Sequence, residues 1–195
     1  MYEKYIKRIL DINLSLIAII LLSPLFIIIA ILIKIDSKGT AFFLQERLGK
    51  NGKVFKIIKF RTMKKDAEKE GINVSGKEDI RITRIGNVLR KTSIDELPQV
   101  FNIIKGDMSI VGPRPPVTYH PYKYEDYNEI QKKRFCVRPG MTGLAQVKVR
   151  NSVAWEDRIK IDIEYVENIT FINDCKIILK TIIRVIKRDN IYKNT

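Results

Sequence analysis

The sequence is poor in three residues that carry much of enzyme chemistry: one histidine, two cysteines and one tryptophan. A single histidine excludes an HExxH metalloprotease site and multi-histidine zinc chemistry, and it argues against a Ser–His triad. His120 lies in "TYHPYKY", a turn-like stretch, and reads as a surface residue. Cys136 and Cys175 make no disulfide framework and match no common zinc spacing. A reducing, cytosol-facing compartment fits them. Acids are also scarce: 22 Asp and Glu stand against 36 Lys and Arg, a formal net charge of +14. That excess predicts a polyanionic partner, whether nucleic acid, anionic lipid head groups or a phosphorylated substrate. Catalysis, if present, must rest on Asp, Glu, Lys, Arg or a metal held by oxygens. There is no internal repeat, low-complexity segment or clear domain linker, and 195 residues suit one ordinary domain.

What the chain does have is a long apolar run. "INLSLIAIILLSPLFIIIAILI", residues 12–33, carries no charge and reaches the roughly 20 residues that span a bilayer core as a helix. It is too long for the apolar part of a signal peptide, and no small-x-small cleavage site follows. Lys4, Lys7 and Arg8 flank one end and Lys34, Lys38 and Arg47 the other, so the positive-inside rule gives no orientation. Ser23-Pro24 sits at the centre, where proline removes a helix hydrogen bond and kinks the axis. A kinked, re-entrant helix that enters and leaves by one face is favoured over a straight span. The expected division is a membrane-inserted helix over 1–36 and a cytosolic part over 37–195.

Beyond the run, "FFLQERLGKNGKVFKIIKF" reads as two strands around Asn51-Gly52, a strong hairpin signal. "KKDAEKE" reads as a polar helical turn and "GINVSGKED" as a polar loop. "TRIGNVLRK" fits a helix capped by Thr83, with Ile85, Val88 and Leu89 on one face. "AWEDRIKIDIEYVENI" reads as a helix. "FINDCKIILKTIIRVIKR" alternates apolar residues with Lys176, Lys180, Arg184, Lys187 and Arg188. That pattern suits a helix in a membrane interface or a core helix with a basic outer face. The expected class is α+β: a small hairpin sheet with several amphipathic helices behind a re-entrant membrane helix.

The acids are concentrated oddly. "SIDELPQ" sets Asp95 beside Glu96 before Leu97, Val100, Phe101 and Ile104, which recur at helical spacing up to Gly106. Ser93 and Glu96 have capping-box spacing. Alternatively Asp95 caps the helix, which puts Pro98 where no hydrogen bond is lost. Either way both acids stand at a helix start, where free N–H groups favour anions. A glycosidase needs its carboxylates on opposite sides of the bond, at least ~5 Å apart. Adjacent Asp and Glu suit phosphoryl chemistry better, one acid as nucleophile and the other holding Mg²⁺. "GDMSIVGPRPP" clamps Arg114 between Pro113 and Pro115, stiff enough for bidentate phosphate contact. In "VRPGMTGLAQV", Arg138 precedes Pro139-Gly140, a type II turn signature. Lys59, Arg61, Arg90, Arg114 and Arg138 are the candidates for neutralising phosphate charge.

Several motifs in order resemble the bacterial sugar transferases, or monotopic phosphoglycosyl transferases. They are the apolar helix with Ser23-Pro24, "KFRTM" at 59–63, "SIDELPQ" at 93–99, "NIIKGDMSIVGPRPP" at 102–116, "VRPGMTGLAQV" at 137–147 and "DIEYVENITF" at 162–171. The chain looks like the short form of that family. Short members include the transferase that opens bacterial protein N-glycosylation from UDP-diacetylbacillosamine. The resemblance implies a Mg²⁺-dependent enzyme that moves a sugar phosphate from a UDP-sugar to polyprenyl (undecaprenyl) phosphate and releases UMP. It implies Asp95 as the attacking nucleophile, Glu96 as a Mg²⁺ residue, Arg114 in the active site and a re-entrant anchor in the bacterial inner membrane, with catalysis on the cytosolic face. The short-form likeness suggests an N-acetylated or modified amino sugar. Asn173-Asp174-Cys175-Lys176 stands where relatives often carry Leu-Asp-Leu-Lys, and Cys175 there reads as packing. The competing reading is a non-enzymatic, membrane-anchored basic module that binds anionic lipid or nucleic acid. It explains the charge but neither the paired acids nor Arg114.

Overall fold

The computed structural model describes residues 1–65, 67, 79–149 and 153–187. The helical turn expected over 64–70 and the loop over 71–79 fall mostly outside these residues, as does Arg188. The described chain is mixed helix and strand, with two small sheets and a long N-terminal helix.

A π-helical turn at Tyr2–Ile6 leads into α1, Lys7–Asp36, a helix of 30 residues. Pro24 has no N–H to donate to the Ile20 carbonyl one turn back. The Ser23 hydroxyl donates to that carbonyl instead, at 2.9 Å, so the proline leaves no orphan acceptor there. One face of α1 buries Phe26, Ile29 and Ile33, whereas Ile17, Ile20, Leu21, Ile27 and Ile28 are more than half exposed on the others. This helix is long and apolar enough to cross a membrane. Both of its ends are bonded to the body of the protein. Near the start, Arg8 donates to the Ile103 carbonyl at 2.7 Å and Asp11 accepts from the Ile110 N–H at 3.0 Å. At the far end Asp36 accepts from the Ile85 N–H at 3.0 Å.

The hairpin forms as the sequence predicts. β1, Phe42–Leu48, pairs antiparallel with β2, Val54–Phe60. Asn51 and Gly52 take the left-handed conformation in the turn, φ 54° and 75°, which is why Asn-Gly suits it. Phe55 and Ile57 pack on Ile103 and Met108.

Thr83 caps α2, Arg84–Thr92, by accepting from the Gly86 N–H at 3.0 Å. Gly86 is required by contact: a Cβ there would lie 2.0 Å from the Thr62 carbonyl oxygen. The expected apolar face is only partly used, since Leu89 is buried but Val88 is exposed.

Neither expected cap of the next helix forms. Ser93 is left-handed, φ 58° and ψ 15°, because it ends α2, its N–H returning to the Arg90 carbonyl. A residue in that conformation cannot also serve as an extended N-cap, and its side chain makes no capping bond. Asp95 and Glu96 instead lie in a 3₁₀ turn, Ile94–Glu96, and Pro98 itself is the N-cap of α3, Gln99–Lys105. Asn102 of α3 is fully buried. It accepts from the Ile58 N–H at 2.9 Å and donates to the Lys56 carbonyl at 2.8 Å, fastening α3 to β2.

β3, Ser109–Val111, pairs in parallel with β4, Gly140–Thr142. The type II turn expected at Pro139-Gly140 is absent. Gly140 lies in the strand without a positive φ, and a Cβ there would sit 2.1 Å from the Gly112 nitrogen. The glycine serves close strand approach.

Among the described residues, α-helices follow at Glu129–Lys132 (α4), Leu144–Lys148 (α5), Trp155–Glu167 (α6) and Phe171–Ile186 (α7). In α7 only Asp174 and Ile177 are buried, while Phe171, Ile172, Ile182 and Ile186 are at least half exposed. A core helix with a basic outer face does not leave its apolar residues uncovered in this way. Cys175 is exposed rather than packed.

Candidate active site

Glu96 is the electrostatic hub. Its Oε1 lies 2.7 Å from Lys59 Nζ and 2.7 Å from Arg114 Nη2, and its Oε2 lies 3.4 Å from Arg114 Nη1. Lys59 arrives on the end of β2, which Asn102 fastens to α3, the helix that follows Glu96. Burial alone would push the Glu96 carboxyl up, but Arg114 and Lys59 outweigh it and hold the group below the usual carboxylate range. Burial draws the Lys59 ammonium down, and Glu96 partly restores it.

Asp95 has the opposite environment. Among the described residues no side chain donates to it. Burial first, and then the negative Glu96 beside it, push its carboxyl up to about 6. Two adjacent carboxylates thus differ in environment: Glu96 is locked as an anion between two cations, and Asp95 receives no side-chain donor among the described residues.

Both acids line a cavity of about 780 Å³ bounded by the ends of α2, α6 and α7 and by β4 and α5. Its walls are mixed. Arg90, Arg114, Arg158 and Arg184 supply positive charge, while Leu97, Met141, Ile178 and Ile182 supply an apolar side. Such a room admits a ligand with an anionic head and an apolar body.

The five basic residues singled out in the sequence separate into two groups. Lys59 and Arg114 meet at Glu96. Arg90 lines the cavity and donates to the Thr62 hydroxyl at 2.8 Å. Arg61 lies elsewhere. It is buried and donates to the Ser37 and Lys38 carbonyls at 2.7 and 2.8 Å, capping the end of α1. Arg138 donates to the Gly106 carbonyl at 2.9 Å, where α3 ends, and does not line the cavity. In this structure both guanidiniums sit on carbonyls at the end of a helix. His120 is exposed and accepts from Trp155 Nε1 at 2.9 Å.

Sequence reasoning missed a buried ion pair beneath the cavity, Arg134 to Asp162 at 2.6 Å, with side chains 1 % and 3 % exposed. The signal was present: Asp162 falls among Ile159 and Ile163 on the inner face of α6. An acid on an apolar face calls for a cation.

Among the described residues no group of three or more His, Cys, Asp or Glu could hold a metal ion. Asp95 and Glu96 do suit Mg²⁺ in its usual enzymatic form, in which one or two carboxylates complete a shell made mostly of phosphate oxygens and water. The donor set fits an ion that arrives with a diphosphate, not one held by a protein cage.

The chain is similar to several proteins named as sugar or sugar-phosphate transferases. The chain is 44 % identical over 181 residues to the UDP-N-acetylgalactosamine-undecaprenyl-phosphate N-acetylgalactosaminephosphotransferase of Aeromonas hydrophila, covering 91 % of this chain and 43 % of that protein. It is 41 % identical over 188 residues to the galactosyl transferase CpsE of Streptococcus agalactiae, covering 90 % of this chain and 41 % of that protein. It is 39 % identical over 191 residues to the UDP-glucose:undecaprenyl-phosphate glucose-1-phosphate transferase of Caulobacter vibrioides, covering 95 % and 72 %. The chain therefore spans about two-fifths of the first two relatives and most of the third. The family pattern described as bacterial sugar transferase matches residues 2–188. With Asp95, Glu96 and Arg114 gathered at one cavity and the match running nearly end to end, the chain belongs to the bacterial sugar transferase family.

Proposed function

We propose that this protein transfers a sugar 1-phosphate from a UDP-sugar to a polyprenyl phosphate and releases UMP, as a transferase of substituted phosphate groups. The observation that carries the reading is the contrast between the two carboxylates: Glu96 held by Lys59 and Arg114, Asp95 beside it without a side-chain donor.

In this reading Asp95 attacks the phosphorus that carries the sugar. A bond forms from Asp95 to that phosphorus, and the bond to the bridging oxygen breaks, so that UMP departs with the oxygen and its electrons. An oxygen of the lipid phosphate then attacks the same phosphorus and frees Asp95, leaving a polyprenyl diphosphate sugar. Lys59 and Arg114 neutralise the charge spread over the phosphoryl oxygens. Mg²⁺ entering with the diphosphate would offset its charge, and Glu96 and Asp95 are the residues to hold it. The mixed walls of the cavity suit a soluble diphosphate and a lipid phosphate by turns.

The reading of the membrane topology rests on α1. At 1.5 Å per residue, its 30 residues measure ~45 Å, longer than the ~30 Å hydrocarbon core. A straight span would separate its ends across the bilayer, yet both are bonded to one body. At Ser23-Pro24 the Ser23 hydroxyl satisfies the Ile20 carbonyl, so a bend there would leave no orphan acceptor. These observations support a re-entrant, monotopic anchor, and the proposed use of a UDP-sugar puts it on the cytosolic face of the bacterial inner membrane. The exposed apolar residues of α7 suit the lipid interface.

For the donor sugar we propose an N-acetylated or modified amino sugar, within a glycoprotein, capsule or lipopolysaccharide pathway. The relatives are named for N-acetylgalactosamine, galactose and glucose, so a panel must decide. The test is UMP release by detergent-solubilised protein with Mg²⁺ and UDP-sugars, each with and without polyprenyl phosphate. Catalytic UMP with one sugar and the lipid is the expected result. One equivalent per enzyme without the lipid would mark the Asp95 adduct. No UMP from any sugar would overturn the reading and favour a binding module.

A further inference from the structure

Residues 113–116, Pro-Arg-Pro-Pro, contain a single backbone N–H, that of Arg114, because the other three residues are prolines. With only that one donor in four residues, the conformation of the segment depends on who donates to its carbonyls. Each of the four receives a hydrogen bond. The Gly140 N–H reaches the Pro113 oxygen at 2.9 Å and the Leu48 N–H reaches the Pro116 oxygen at 3.0 Å. The two central carbonyls are held by arginine side chains. Arg134 Nη2 donates to the Arg114 oxygen at 3.0 Å, and Arg47 Nη1 donates to the Pro115 oxygen at 3.0 Å.

These two arginines are costly choices. Arg134 is buried and is neutralised by Asp162, to which the same Nη2 donates at 2.6 Å. Arg47 has no carboxylate partner among the described ion pairs; its Nη2 donates to the neutral Gln45 side chain at 2.6 Å. Burial draws its guanidinium down to about 10, and the neighbouring Arg114 cation adds to that effect. Fold stability alone is served as well or better by apolar packing than by buried charges beside another cation. What the arginines supply is rigid aim. With the carbonyl of Arg114 and the next one fixed by two flat, forked donors, the Arg114 side chain starts from an immobile Cα and reaches Glu96 at 2.7 Å.

We propose that Arg134 and Arg47 are positioning residues that aim Arg114 at the phosphoryl group, with Asp162 holding Arg134 in place. Neither touches the reacting atoms. The proposal rests on the phosphoglycosyl transfer reading above, and in particular on Arg114 acting there.

The test is a double-mutant cycle on the purified full chain, assayed by UMP release with the UDP-sugar identified by the panel. Arg134→Lys and Arg47→Lys are measured alone and in an Arg114→Ala background, with thermal midpoints in detergent recorded for every variant. Each single variant is expected to lower kcat about 10- to 100-fold, the scale of a misplacement near 1 Å, with donor KM changed less than about three-fold. In the Arg114→Ala background the same substitutions should change kcat less than about two-fold, because nothing remains to be aimed. Multiplicative losses in that background, at unchanged thermal midpoints, would overturn the proposal and leave the pair a structural role. If Arg134→Lys loses its thermal transition, Arg47→Lys carries the test alone. Near-normal activity of Arg114→Ala itself would instead overturn the role of Arg114, and this inference with it.

Discussion

Lys59 Nζ and Arg114 Nη2 each stand 2.7 Å from the same oxygen, Glu96 Oε1. Two cations on one oxygen tolerate each other only through that shared charge. Glu96→Gln removes it and leaves them facing each other in a partly buried place. The expected outcome is a fall in kcat of about 100-fold or more, together with a lower thermal midpoint. Steady-state UMP release and a melt of the same preparation measure both.

Arg114→Lys keeps the positive charge but loses the fork that spans both Glu96 oxygens. Lysine presents one point charge, so Arg114→Lys should resemble a deletion more than a conservative change, with kcat reduced about 10-fold or more. Wild-type kcat in that variant would mean that charge alone suffices.

Asp95→Asn separates catalysis from stability. Turnover should vanish. The metal-free fold should nevertheless become more stable at neutral pH, because the carboxyl of Asp95 is raised from 3.8 to about 6. A raised acid binds its proton more tightly when folded. Its ionisation therefore weighs on the folded state progressively as pH rises from about 4 to about 6, and below that window both states are protonated. The gain in the variant should be small near pH 4 and reach about 3 kcal/mol by pH 7. Melts in EDTA across that range decide it, and an equal midpoint at both ends would contradict the assignment.

Arg61→Ala tests the reassignment of that residue. A phosphate ligand would raise donor KM. A helix cap would lower stability by about 2–3 kcal/mol, since Arg61 bonds the Ser37 and Lys38 carbonyls, and would leave donor KM nearly unchanged. The second outcome is expected.

Asp174 accepts from Lys7 Nζ, the Tyr2 hydroxyl and the Tyr165 hydroxyl, joining the start of α1 to α6 and α7. Asp174→Ala leaves a buried lysine without its partner and should cost about 3–5 kcal/mol. Proteolysis of the N-terminal segment in detergent should speed up accordingly.

The parts of this protein legible from sequence are those set by local rules. The Asn51-Gly52 hairpin, the Thr83 cap and the uncharged helix each depend on a few neighbouring residues. The adjacency of Asp95 and Glu96 was also visible, but their opposite environments were not, because Lys59 and Arg114 come from strands and loops far away in the chain. The Ser93 cap failed for a related reason: one residue was needed to close α2 and to open α3, and it could adopt only one conformation. The positions of Arg61 and Arg138 were not legible, because a guanidinium suits a helix-end carbonyl as well as a phosphate. Basic runs such as that around Arg134 resemble a solvated surface, so a buried arginine among them is hidden unless its acid is found first.

Asn102 carries a consequence of another kind. β2 pairs with β1 on one side only, which would leave the Lys56 carbonyl and the Ile58 N–H on its other side as an open template for any passing strand. The Asn102 amide presents one acceptor and one donor to these two groups, as a neighbouring strand residue does. A helix side chain thereby ends the sheet at two strands. With those two groups occupied, this edge of β2 offers a second copy no open ladder to extend.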